Sequence, residues 1–152
     1  MTAWADLERS EPEFTARVRA LFDARRHKTM ATLRRDGSPR ISGIETRFRD
    51  GELWIGSMPG SLKGRDLKRD PRLALHVASE DPRDDAPADW AGDAKLAGLA
   101  VEAPSPPDAG PEGDSFRIDI TEVVLTRVAP QGDRLVIESW HPGRGLERRE
   151  RA

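Results

Sequence analysis

The sequence predicts a mainly β domain, a small antiparallel barrel of six to seven strands with an N-terminal helix and one short helix between strands. Three observations support this fold class. Apolar residues recur in short runs of strand length, and Asp-Gly pairs at 36–37 and 50–51 fit tight turns between such runs. The chain has 152 residues, which predicts a single domain over 1–152.

An amphipathic helix is expected within residues 1–27. Ser10 and Glu13 form a Ser-x-x-Glu capping pattern, and Pro12 suits the first turn of a helix. A stripe with the spacing i, i+4, i+7 and i+8 follows and contains Phe14, Val18, Leu21 and Phe22. This helix is therefore expected to lay one apolar face on a larger body.

Three strands then form a meander, over residues 29–33, 40–48 and 52–57. The Asp-Gly pairs connect them, because both residue types tolerate the positive φ of a tight hairpin turn. A short helix over 61–69 is expected next, with Ser61 as its N-cap and Asp70-Pro71 as its stop.

The second half of the chain predicts further strands and three irregular segments. The strands are expected at 73–77, 95–102, 116–128 and 134–140. The acidic segment 80–93 is expected to be a surface excursion, the Pro/Gly-rich segment 103–114 a loop, and residues 141–152 a polar tail.

Composition excludes several classes of protein. No apolar run reaches the roughly 18 residues that cross a bilayer, and the first six residues lack a signal-peptide layout. The absence of cysteine removes disulfides, thiolate nucleophiles and cysteine-bound metals, and the three histidines have no zinc spacing. A net charge of −2 argues against a nucleic-acid partner. We therefore expect a cytoplasmic protein with no metal and no membrane association.

The segment Gly56 to Lys63 carries the chemistry of a candidate phosphate site. A helix start presents free N–H groups and a positive dipole end, which attract anions. Ser57 and Ser61 can donate hydrogen bonds, and Lys63 supplies a point charge. The alternative interpretation is a plain capped helix between two strands, since capped helices are common.

Three runs of the sequence resemble the pyridoxamine 5′-phosphate oxidase-like superfamily of FMN-binding split barrels. They cover residues 31–43, 51–63 and 67–75, and the order of strands, Asp-Gly turns, Ser-x-Lys helix and Asp-Pro stop is the specific part. The resemblance is clearest over residues 29–77. It implies a split β-barrel that binds a flavin as a homodimer, with the cofactor site at the dimer interface.

The resemblance also implies cofactor-binding residues, position by position. They are Arg40, Ile41, Ser42, Gly43, Gly56, Ser57, Ser61, Lys63, Trp140 and Arg149. Trp140 and Arg149 are the nearest matches to residues that the family supplies from the partner chain. Leu62 stands where the family has a phosphate-binding arginine, for which Arg40 and Arg65 are the candidate replacements.

The function implied is that of an FMN-binding oxidoreductase, with hydride transfer to or from a small organic substrate that the sequence does not identify. Substrate-phosphate ligands of the true oxidase have no match here, so vitamin B6 oxidation does not follow. Two alternatives stay open on the same fold. One is an F420-dependent reductase, whose polyglutamate tail would follow Arg65, Lys68 and Arg69, and the other is a non-catalytic flavin or haem carrier. No catalytic residue is assigned.

Overall fold

The structure is a computed structural model that describes residues 1–107 and 113–152. Its helices are α1 (Trp4–Ser10), α2 (Pro12–Ala24) and α3 (Leu62–Arg69). Its strands are β1 (His27–Leu33), β2 (Pro39–Arg49), β3 (Glu52–Ser57), β4 (Arg72–Val77), β5 (Asp93–Glu102), β6 (Asp114–Val128), β7 (Leu135–His141) and β8 (Gly145–Arg151).

Six of these strands close into an antiparallel barrel. Their order is β3-β2-β1-β4-β5-β6, and β3 pairs with the N-terminal part of β6 to complete the ring. β7 pairs with the C-terminal part of β6, and β8 pairs with β7, so these two strands extend the sheet beyond the barrel. The mainly β barrel predicted from the sequence is confirmed.

The β2–β3 turn shows why the meander forms as predicted. Asp50 has φ 50° and Gly51 has φ 76°, and the flanking residues Arg49 and Glu52 face each other across the two strands. Two successive positive φ values match the right-handed twist of a hairpin, and Asp-Gly adopts them at low cost. The turn thereby fixes the register of β3 against β2.

The core consists of side chains that point inward from alternate strand positions. Met30, Leu75, Leu96 and Val123 face one another in a continuous cross-strand row, and each is at most 2% exposed. The predicted apolar stripe of α2 is buried as well, with Phe14, Val18, Leu21 and Phe22 in the same cluster. The barrel and α2 therefore share one core.

The N-terminal segment differs from the prediction, because residues 1–27 hold two helices. Ser10 ends α1 and donates its hydroxyl to the Leu7 carbonyl, so the predicted capping role of Ser10 is wrong. Glu11 is the N-cap of α2, and Pro12 lies in its first turn as expected. The seven-residue α1 was missed because it is too short to show periodicity, although Trp4 and Leu7 are both buried.

The C-terminal segment also differs. Most of the tail predicted at 141–152 is strand β8, which pairs with β7 from His141 opposite Gly145 to Leu135 opposite Arg151. The alternating Arg and Glu residues indicated a solvated tail, but an edge strand needs only backbone partners and tolerates charged side chains. Charges there also oppose pairing with another chain.

The irregular segments follow the prediction in part. The acidic segment 80–93 is a surface excursion with a short 3₁₀ turn at Pro87–Asp89, and β5 already begins at Asp93. Of the loop predicted at 103–114, Asp114 belongs to β6, and residues 108–112 lie outside the described residues. None of the described helices combines the length and apolar character that a membrane crossing needs.

Candidate functional site

Helix α3 begins with the cap that the sequence predicts. The Ser61 hydroxyl oxygen accepts a hydrogen bond from the backbone N–H of Gly64, at 3.1 Å. The turn before it contains Gly60, whose φ of +72° favours glycine. The amides of Leu62 and Lys63 come first in the helix and have no intrahelical acceptor. The helix start therefore offers free donors to an anion.

Two side-chain links join α3 to β2. Lys63 Nζ donates to the Gly43 carbonyl oxygen at 2.7 Å. Asp66, three residues further along α3, accepts from Arg40 Nε at 2.7 Å. We call these four residues the α3–β2 seam. The seam lies beside the Ser61 cap, so the structure brings together Arg40, Gly43, Ser61 and Lys63.

Asp66 is the buried centre of the seam. It is 2% exposed and accepts three hydrogen bonds, from Thr32 Oγ1 at 2.8 Å, Arg40 Nε at 2.7 Å and Arg69 at 2.9 Å. Burial raises the pKa of Asp66, but the bonds from Arg40, Thr32 and Arg69 outweigh burial and hold the pKa below its usual value. Asp66 is therefore an ionised carboxylate that faces two guanidinium groups.

The surface next to the seam is open and partly apolar. Ile41 points outward from β2 and is 75% exposed, whereas Ser42 points inward and is half-buried. A methyl group added at Gly43 would meet no atom within 4 Å in the described part of the chain. Met58 and Leu62, on either side of the cap, are also exposed. A flat ligand can therefore approach the β2 backbone closely at this point.

Ser57 and Gly56 end β3 below the start of α3. Ser57 faces Asp114 across the β3–β6 pairing, and among the described residues its buried hydroxyl has no hydrogen-bond partner. A methyl group added at Gly64 would lie 2.8 Å from this hydroxyl oxygen and 2.7 Å from Asp114 Oδ2. The Ser57 hydroxyl is thus packed beneath α3, while Gly56 is exposed on the other face of β3.

Asp114 brings a negative charge close to the helix start, and Lys68 balances it. Lys68 Nζ lies 2.6 Å from Asp114 Oδ1 and 3.7 Å from Glu102 Oε1. The hydrogen bond that Lys68 donates to Asp114 raises the pKa of Lys68 above its ordinary value. Because Asp114 is paired, the charge of Lys63, whose Nζ bonds only the neutral carbonyl of Gly43 among the described residues, remains uncompensated near the helix start.

Trp140 and Arg149 lie elsewhere in the same chain. Trp140 on β7 faces Val123 and is only 8% exposed within the core, whereas Arg149 on β8 faces Ile137 and is exposed. Trp140 pairs with Leu146 of β8, and Leu146 is three positions from Arg149 on that strand. Because side chains alternate along a strand, Trp140 and Arg149 point to opposite faces of the sheet. Val123 is also nine residues along β6 from Asp114, or about 30 Å of strand. The fold therefore separates this pair from the seam of its own chain.

The donors at the seam fit a phosphate monoester. The Ser61 hydroxyl, two helix-start amides and Lys63 lie at the start of α3, and Asp66 holds Arg40 one turn further along the helix. Such groups are the ones that bind phosphate oxygens in proteins. A polyglutamate tail has a weaker counterpart. Lys68 and Arg69 are already engaged by Asp114 and Asp66, which leaves Arg65 as the cation of that trio without an ion pair among the described residues.

These features define a small closed β-barrel with a cationic, capped helix start beside an open strand. The sequence profile of pyridoxamine 5′-phosphate oxidase matches residues 14–125 of this chain. The chain therefore belongs to the pyridoxamine 5′-phosphate oxidase family, and the resemblance identified from the three sequence runs is confirmed.

Solved structures share the fold at low sequence identity. PhzG from Burkholderia lata 383, in complex with tetrahydrophenazine-1-carboxylic acid, is 12% identical, with a TM-score of 0.65 over 95% of each chain. A pyridoxamine 5′-phosphate oxidase-related, FMN-binding protein from Nostoc punctiforme PCC 73102 is 13% identical, with a TM-score of 0.64 over 99% of this chain and 100% of that one. A heme-binding protein from Mycobacterium smegmatis is 12% identical, with a TM-score of 0.53 over 88% and 86%. No curated protein matches the sequence.

Proposed function

We propose that this protein is an FMN-binding oxidoreductase that acts on a small organic substrate. The observation that carries the proposal is the α3–β2 seam, where Lys63 and Arg40 are held beside the capped start of α3. Family membership supports FMN, and so does the FMN-binding protein from Nostoc punctiforme with the same fold. Bound flavin would supply the hydride chemistry, so the chain itself needs no acid–base pair.

Each part of the site has a role in this proposal. Lys63 and Arg40 bind the phosphate of FMN through charge-assisted hydrogen bonds. Ser61 and the helix-start amides complete the phosphate shell. The β2 segment 40–43 lines the flavin ring, because Gly43 leaves open space beside the strand. Gly56 and Ser57 carry the chain from β3 to this helix start.

We further propose that the protein is a cytoplasmic homodimer with the cofactor at the interface. Ile41, Met58 and Leu62 are exposed by 75%, 79% and 57% around the helix start, and burial of such an apolar patch favours association. Trp140 and Arg149 are too distant along β6 to serve the seam of their own chain. Arg149 is exposed and would serve the partner's site, whereas Trp140 is only 8% exposed and packs in its own core.

We favour FMN over F420 because, of the three cations proposed for a polyglutamate tail, Lys68 is neutralised by Asp114 and Arg69 shares the charge of Asp66 with Arg40. The test is direct. The absorbance spectrum and mass of the ligand that co-purifies are measured, and the ligand-free protein is then titrated with FMN and with F420.

Two variants sharpen this experiment. Lys63→Ala is expected to weaken FMN binding by about tenfold or more, because a charge-assisted bond is lost. Arg72→Ala is the matched control, because Arg72 is an exposed cation that pairs with Asp70 outside the seam. Tighter binding of F420 than of FMN would reverse the choice of cofactor. Stable FMN binding without turnover of any hydride donor or acceptor would favour a carrier.

A further inference from the structure

We propose that Asp66 is a positioning residue that orients Arg40 as a ligand for the phosphate ester of the bound cofactor. This inference rests on the proposed function, and it assigns a role to a residue that touches no ligand itself. Asp66 was not among the site residues predicted from the sequence, although it lies within the Ser-x-Lys-x-x-Asp pattern of residues 61–66.

The first step is the way in which Asp66 binds Arg40. The carboxylate accepts from Nε at 2.7 Å. The two terminal nitrogens of Arg40 have no hydrogen-bond partner within residues 1–107 and 113–152, and the side chain retains 19% exposure. Since the guanidinium is planar, a bond at Nε fixes the direction of the whole group. The free edge of the fork then faces away from Asp66, and that edge binds phosphate oxygens in pairs.

The second step is the rigidity of Asp66. Its Oδ2 also accepts from Thr32 of β1, and its Oδ1 accepts from Arg69 near the end of α3. Three elements therefore hold a carboxylate that is only 2% exposed. A guanidinium held in this way loses little rotamer freedom when an anion binds, which increases affinity.

The third step is the charge balance of the seam. One carboxylate, Asp66, faces two guanidinium groups, those of Arg40 and Arg69, which leaves one positive charge. Lys63 adds a second, because its Nζ is bonded only to the neutral carbonyl of Gly43 among the described residues. Two positive charges match a phosphate monoester dianion. Residues 63 and 66 are about 5 Å apart along α3, so both cations can reach one phosphate group.

The test compares FMN with riboflavin, which lacks the phosphate. Binding constants for both ligands are measured by flavin fluorescence for the wild type and for Asp66→Asn, which keeps the shape of the side chain and removes its charge. We expect affinity for FMN to fall about tenfold or more and affinity for riboflavin to stay unchanged. Asp70→Asn is the matched control, because it removes a carboxylate at the end of α3 that pairs with Arg72 outside the seam. It should leave the preference for FMN unchanged.

A double-mutant cycle with Arg40→Met tests whether Asp66 acts through Arg40. The loss of FMN affinity in the double variant should equal that of Arg40→Met alone, and additive losses would overturn the inference. Arg40→Lys covers the case in which Asp66→Asn does not fold. It keeps the charge but cannot bind Asp66 and present a fork at once, so an undiminished FMN preference in this variant would also overturn the inference. A wild type that binds FMN no better than riboflavin would instead refute the phosphate site of the proposed function.

Discussion

Gly64 is the position where the packing of the candidate site can be tested most directly. It is buried in the first turn of α3, and a methyl group there would lie 2.7 Å from Asp114 Oδ2, 2.8 Å from Ser57 Oγ and 3.0 Å from Ser61 Oγ. The first two separations are shorter than a carbon–oxygen contact allows, and the third is tight. Gly64→Ala should therefore displace the start of α3.

The magnitude follows from which of these atoms can move. The Ser57 hydroxyl has no hydrogen bond among the described residues and can rotate at little cost. Ser61 can move only by losing its cap, worth about 1 kcal/mol, and Asp114 only by straining its bond to Lys68. Overpacking adds about 1–3 kcal/mol, while the higher helix propensity of alanine returns about 1 kcal/mol. We expect a net loss of about 1–2 kcal/mol in the free energy of unfolding.

The assay is urea unfolding of Gly64→Ala together with titration of FMN. Gly43→Ala is the control for stability, because a methyl group at Gly43 has open space around it. Gly43→Ala is expected to leave the free energy of unfolding within about 0.5 kcal/mol of the wild type. FMN affinity of Gly64→Ala should fall together with its stability, because the helix start moves away from β2. A Gly64→Ala protein that is as stable as the wild type and binds FMN equally well would refute this description of the helix start.

Three further predictions concern the fold around the site. Since Asp66 has a lowered pKa in the folded state, its contribution to stability is complete above the pKa of the unfolded chain and is lost as pH falls through the folded pKa. Asp66→Asn should therefore flatten the acid limb of a plot of unfolding free energy against pH, and an unchanged slope would contradict this. Gly51→Ala should cost about 1–2 kcal/mol in urea unfolding, because φ there is +76° and the new methyl group would lie 3.0 Å from the Ala5 Cβ atom. Trp140→Ala should cost about 3 kcal/mol in ligand-free protein at any concentration, because the ring packs in its own core. A loss seen only with FMN or only at high protein concentration would place the ring at an interface.

Elements whose signals are local could be predicted from the amino-acid sequence. The Asp50-Gly51 turn, the Ser61 cap and the stop after Arg69 each depend on a few neighbouring residues, and the structure has all three. Strand alternation likewise identified much of the core, because side chains of a strand face opposite sides in turn. The three runs with family resemblance contain these same local signals, which explains why the fold class could be predicted.

Some elements were hidden from the sequence because their stability comes from partners. Helix α1 is too short for periodicity and is stabilised by burying Trp4 and Leu7. Strand β8 is polar except for Leu146, which packs against the core, and it exists because β7 offers it a backbone edge. Neither the burial of two side chains nor pairing with a strand edge produces a periodic apolar pattern in the sequence.

In the candidate site, too, some features depend on neighbouring residues and others depend on distant partners. The sequence predicted Lys63 at a helix start and Arg40 on a strand, but the ion pair of Asp66 with Arg40, 26 positions apart, depends on how the chain folds. The fold also places the Ser57 hydroxyl beneath α3, and it places Trp140 and Arg149 on opposite faces of the sheet. The physical reason is that caps and turns are set by neighbours in the chain, whereas the partner of a charged side chain is set by barrel closure and strand register.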